Sequence, residues 1–117
     1  VAVSSNSYPL NYWYHVVGVY RNNQTYIYVN GVQRPGPSGN GIKLAPSSPC
    51  QVGNYSSGYP FNGFIDEVRI YNAALTSSAI REQYLAGLDK LLTGGQITTE
   101  DYRQRLAELN STYASNK

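Results

Sequence analysis

The stretch FNGFIDEVRIYNAAL, residues 61–75, decides how this chain is read. As an extended strand it places Phe64, Asp66, Val68 and Ile70 on one face and Ile65, Glu67, Arg69 and Tyr71 on the other. The first face is apolar except for Asp66. An ionised carboxylate among core side chains is costly unless something compensates it. The sequence therefore predicts a core-facing Asp66 that needs a partner.

Upstream of this stretch the pattern has period two with turn punctuation, the mark of antiparallel strands. VAVSS (1–5) reads as a short first strand. In NYWYHVVGVY (11–20), Trp13, His15, Val17 and Val19 alternate with Tyr14, Val16, Gly18 and Tyr20. RNNQ (21–24) is a polar turn, and TYIYVNGVQR carries Asn30-Gly31, a strong hairpin signal. RPGPSGNG (34–41) reads as loop, GIKLA (41–45) and CQVGNY (50–55) as short strands, and NYSSGYP (54–60) as a loop. The longest predicted strand is GFIDEVRIY (63–71).

Downstream the period changes. Thr76 can cap a helix whose apolar residues Ile80, Tyr84, Leu88 and Leu91 recur at helical spacing, with Gly94-Gly95 to end it. Thr98 opens a second helix, with Asp101 three residues on and a stripe of Tyr102, Leu106 and Leu109. The short turn between them predicts an antiparallel helical hairpin, with Ile97 closing its open end. The expected organisation is a β region over residues 1–75 and the helical hairpin over 76–117.

At 117 residues with 41% apolar side chains, the chain has the length of one folded domain. No apolar run approaches a membrane span. It begins at Val1 rather than Met, which suggests a processed product or a piece of something longer, so a missing signal peptide says nothing of compartment. Cys50 is the lone cysteine, so no disulfide forms within the chain. Arg21, Arg34 and Lys43 are the only charges before Asp66, and a net charge of +2 with scattered bases argues against nucleic acid. Twelve tyrosines against two phenylalanines suit half-buried strands and sticky surfaces, a tilt toward extracellular recognition or assembly.

WYHVVGVY, YIYVNG, CQVGN and FNGFIDEVRIYNAALTSSAIREQY occur in the order and spacing of laminin G-like, concanavalin A-like jelly-roll domains, and the bacterial pentraxin-like subgroup is the most similar. The resemblance covers about residues 1–84 and enters in the middle of the family pattern. It implies an antiparallel jelly-roll β-sandwich, truncated or reduced at its N-terminus. Such a sandwich leaves edges open, pairs with another chain, or is completed by a missing upstream segment. The tail YLAGLDKLLTGGQITTEDYRQRLAELN resembles the C-terminal helical hairpins of bacterial surface and pilin-like proteins.

In related jelly rolls the aspartate of the closing strand helps to bind a structural calcium ion, so the resemblance makes Asp66 a candidate metal ligand. The alternative is that Asp66 accepts hydrogen bonds from backbone amides or from a nearby Arg or Tyr. Catalysis is not expected. Asp66 and Glu67 point to opposite faces, unlike the paired carboxylates of glycosidases, and His15 reads as a packing residue rather than as the base for a nucleophile. Trp13 reads as core more readily than as a sugar platform. Tyr55 and Tyr59, on the 54–60 loop, are the candidate ligand contacts. Asn23, Asn54 and Asn110 head N-glycosylation sequons, a pattern that arises easily in such a composition. The expected function is non-catalytic recognition of a glycan or protein ligand at the cell surface or outside the cell. The alternative is a structural subunit of a pilin-like bacterial surface filament.

Overall fold

The computed structural model describes residues 8–34, 51–55 and 58–115. The expected strands at 1–5 and 41–45, the 35–41 part of the expected loop, and Cys50 lie outside the described residues.

Strand β1 (Val16–Arg21) pairs antiparallel with β2 (Gln24–Val29), which pairs in turn with β3 (Val32–Gln33). Both turns follow from their residues. Asn22 and Asn23 hold φ values of 51° and 62°, and Asn30 and Gly31 hold 52° and 78°. Two successive left-handed residues form the turn whose twist matches a hairpin, and Asn and Gly tolerate that conformation best. Asn30 also locks the start of β1: its amide donates to the His15 carbonyl at 2.8 Å, and its Oδ1 accepts from the His15 amide at 3.0 Å. Gly31 is doubly constrained, because a Cβ there would lie 3.1 Å from Tyr84 and 3.2 Å from Leu109.

Helix α1 (Ser77–Thr93) starts as expected, with Thr76 Oγ1 accepting from the Ala79 amide at 3.1 Å, and ends at Gly94. Its buried residues are Ile80, Tyr84 and Leu88. In helix α2 (Thr99–Ser115) Thr98 Oγ1 accepts from the Asp101 amide at 3.1 Å. Arg81 donates to Asn110, and Tyr102 donates to Asp89, so the helices lie side by side. Among the described residues no helix is long and apolar enough to cross a membrane.

The core has two parts. Val19 and Tyr28 pack on Ile80, flanked by Val17, Tyr26 and Leu75. The expected β1 face is thus the one that meets α1. Tyr84, Leu88 and Leu109 form the second cluster, with Ile97 and Tyr102 against it. The Tyr28 hydroxyl joins the sheet to the helix start, 3.1 Å from Ser77 Oγ, and it also accepts from Arg21 and donates to Gln33.

Two expectations fail. The 54–60 loop is a small hairpin of β4 (Asn54–Tyr55) and β5 (Tyr59–Pro60). Residues 63–71, the longest predicted strand, have no ladder partner among the described residues and are exposed throughout. Asp66 is exposed as well, so its expected place in the core is overturned. The physical reason is that a strand needs a neighbour to satisfy its backbone, and among the described residues none lies beside this one. The described residues form a three-stranded sheet, a two-stranded sheet and two helices rather than a complete two-sheet jelly roll.

Candidate functional site

Two surfaces stand out. The first is a groove of about 920 Å³ between β1 and residues 66–75, floored by α1. Among the described residues β1 is bonded to β2 on one side alone, so alternate backbone groups of Val16–Arg21 on its other edge have no ladder partner there. Segment 66–71 is held against α1 by polar contacts. Gln83 donates to the Tyr71 hydroxyl at 2.8 Å, and Lys90 stands 3.9 Å from Glu67, which Arg69 pairs at 3.0 Å. Phe64 and Ile70 are 85% and 81% exposed. His15 lines the same groove. Its Nδ1 is buried without a hydrogen-bond partner, and its ring lies 6.1 Å from that of Tyr84. Burial, and secondarily the charge of Arg69, lower its pKa below the usual 6.5.

The second surface is aromatic. The rings of Tyr8 and Tyr14 meet edge to face at 5.5 Å, and Tyr12 lies 6.4 Å from Tyr14. The Tyr14 hydroxyl donates to the Pro9 carbonyl at 2.6 Å, which pins the turn between them. Guanidinium groups flank the cluster, Arg34 at 5.7 Å from the Tyr8 ring and Arg105 at 5.7 Å from the Tyr12 ring. Tyr12 is 56% exposed.

Arg105 anchors this surface to the helices. It is buried, with Nη1 donating to the Trp13 carbonyl at 2.7 Å and Nε donating to Asp101 at 3.2 Å. Sequence reasoning missed it, although the signal was present: Tyr102, Arg105, Leu106 and Leu109 share one helical stripe, and Asp101 lies four residues before Arg105.

Of the sequence candidates, Tyr55 and Tyr59 are cross-strand partners in the β4–β5 hairpin. Tyr59 is 73% exposed on the β4–β5 hairpin; Tyr55 is in β4, with its side chain outside what is described. Trp13 and His15 are half-buried. Asp66 Oδ1 accepts from the Glu67 amide at 2.8 Å. Calcium requires six to eight oxygen ligands. Among the described residues no three His, Cys, Asp or Glu side chains gather to hold a metal.

Residues 1–81 match the Laminin_G_3 family, described as the concanavalin A-like lectin/glucanases superfamily. The chain belongs to this family. The Laminin_G_3 match takes in both groove walls and the aromatic surface, and it reaches into the first turn of α1. Among solved structures, the S-layer domain-containing protein of Clostridium thermocellum (residues 221–444) is similar at 21% identity, with a TM-score of 0.56. The likeness covers 69% of this chain and 43% of that one, so the chain spans less than half of that structure, and what is shared is the fold. No curated protein matches the chain.

Proposed function

We propose that the chain is a non-catalytic recognition module of an extracellular or cell-surface protein, with a glycan or protein ligand. The observation that carries this reading is the Tyr8–Tyr12–Tyr14 cluster between Arg34 and Arg105. Exposed tyrosine faces stack on the apolar faces of sugar rings and on other side chains, while their hydroxyls hydrogen-bond. Exposed Tyr59, with Tyr55 on the same hairpin, is the second proposed contact set. Absence of catalysis is part of the proposal. The two adjacent carboxylates at the groove are already occupied, Asp66 by a backbone amide and Glu67 by Arg69 and Lys90. The similar structure belongs to an S-layer domain-containing protein, which supports a surface setting.

A glycan array followed by calorimetry tests the reading. Tyr12→Ala is expected to weaken the best ligand about tenfold, the scale of one lost aromatic contact, with an unchanged melting temperature. Tyr59→Ala in the same assay tests the hairpin. An affinity that ignores both substitutions sinks the aromatic site.

A second reading, a structural subunit of a pilin-like surface filament, is favoured by a different observation. Among the described residues the outer edge of β1 has no ladder partner and the apolar residues of 61–70 are exposed, as they are in a subunit that buries them against its neighbours.

A further inference from the structure

Two walls of the groove, the outer edge of β1 and the extended run 64–71, have no ladder partner among the described residues. A sugar or a helix cannot satisfy both walls, because each wall offers amides and carbonyls in a period-two array. A strand can. The chain itself also carries a strand-former: 64–71 is rich in β-branched and aromatic residues, lies exposed, and is bonded to no ladder among the described residues. It stops short of regular strand geometry at Glu67, whose φ of +55° is a left-handed kink that non-glycine residues adopt at a cost.

Charge selects how this run pairs. Antiparallel pairing that keeps Phe64, Val68 and Ile70 on one face must centre the two-fold axis on a residue, because a one-residue slip mixes the faces. Centred on Glu67, the pairing sets glutamate against glutamate; centred on Arg69, arginine against arginine; centred on Asp66, aspartate against aspartate. Centred on Val68, it sets Glu67 of each copy opposite Arg69 of the other, twice, with Ile65 opposite Tyr71 on the same face. In that register the face carrying Glu67 and Arg69 is self-complementary, while Asp66 lies opposite Ile70 on the other face.

We propose that the groove is filled by a second copy of this chain in an isologous dimer. The 64–71 run of each copy enters between β1 and the 64–71 run of the other. The result is a continuous sheet in which both open β1 edges are covered and each Glu67–Arg69 pair forms across the two-fold axis instead of within one chain. Glu67 leaves its left-handed conformation on pairing. The proposal does not depend on the aromatic site, and it supplies a concrete contact for an assembling subunit.

The test is charge reversal with rescue, read by sedimentation velocity on the whole chain. Glu67 and Arg69 are 59% and 55% exposed, so neither substitution threatens the fold, and circular dichroism checks this. The unaltered chain is expected to form a concentration-dependent dimer. Arg69→Glu and Glu67→Arg, each alone, put like charges opposite one another and are expected to weaken it about tenfold or more. An equimolar mixture of the two variants brings opposite charges face to face again and restores a heterodimer. Hydrogen exchange then shows slow amides at 64–71 in the dimer. Three results overturn the proposal: a chain that stays monomeric up to hundreds of micromolar, whether or not its 64–71 amides are protected; a dimer indifferent to both substitutions; or variants whose mixture fails to recover. Glycan binding persisting through any of these leaves the aromatic reading intact.

Discussion

Gln24–Val29 and Phe64–Tyr71 are similar as strings: both alternate, and both are rich in tyrosine, isoleucine and valine. The first is a central strand with Tyr28 at 1% exposure; the second is in no sheet of the described residues, with Ile70 at 81%. Local propensity is comparable, so it is not what separates them. β2 has a neighbour on each side, delivered by two tight turns within a few residues. The 64–71 run has α1 beneath it and an empty lane beside it. A strand is thus a relation between segments, and apolar alternation is only half of it.

That contrast is breakable by mutation. Ile80→Ala, in the fully covered region, is expected to cost about 3 kcal/mol, from lost transfer energy plus the cavity left under Val19 and Tyr28. Ile70→Ala in the monomer is expected to stay within about 0.5 kcal/mol, because the side chain is already in water. Urea unfolding measures both. Equal losses would mean that 64–71 is packed in solution, and the contrast would collapse.

Arg105→Ala probes the junction instead of the core. It strips the Trp13 carbonyl and Asp101 of their partner in a buried setting, and about 2 kcal/mol of destabilisation is expected. A loss under about 0.5 kcal/mol would show that the helices hold the sheet through apolar contacts alone.

The smallest effect is a pH dependence. His15 has its pKa lowered in the folded state, by burial first and by Arg69 second. The folded protein then binds fewer protons than the unfolded chain, so stability rises with pH across that interval. The His15 contribution is full above 6.5, begins to be lost as pH falls below it, and is gone below the lowered folded value. Besides Arg69, its surroundings in the groove include Glu82 and Lys90 from α1 and Asp66 and Glu67 from the facing segment. Comparing the unaltered chain with His15→Phe between pH 7 and pH 5 isolates the effect: the slope should flatten in the variant. A slope unaffected by the substitution would assign it to the carboxylates.

The local structure was readable because its causes are local. Asn22-Asn23 and Asn30-Gly31 announce their turns, Thr76 and Thr98 their caps, and Ile80, Tyr84 and Leu88 their stripe. The family was legible from the FIDEVRIY segment and the strands before it. The largest failure depends on a distant neighbour. Whether 63–71 pairs, and hence whether Asp66 is buried, is decided by what lies beside it. A carboxylate placed in the core by alternation alone stands instead in solvent, bonded to the next amide. Arg105 was overlooked for the opposite reason. Charge suggested the surface, while its stripe position and the carbonyl of Trp13, 92 residues away, put it inside.

That separation has a kinetic consequence. The hairpins of β1–β3 and each helix close over short stretches of chain, whereas the Arg105–Trp13 bond closes a loop of most of the protein. Closure entropy grows with loop length, and non-local contacts form late. Docking of α2 against the segment that holds Trp13 is then expected to be the last step of folding and the first to open in the native state. Trp13 is the only tryptophan, so its emission, fed by energy transfer from the surrounding tyrosines, reports that one event apart from the rest.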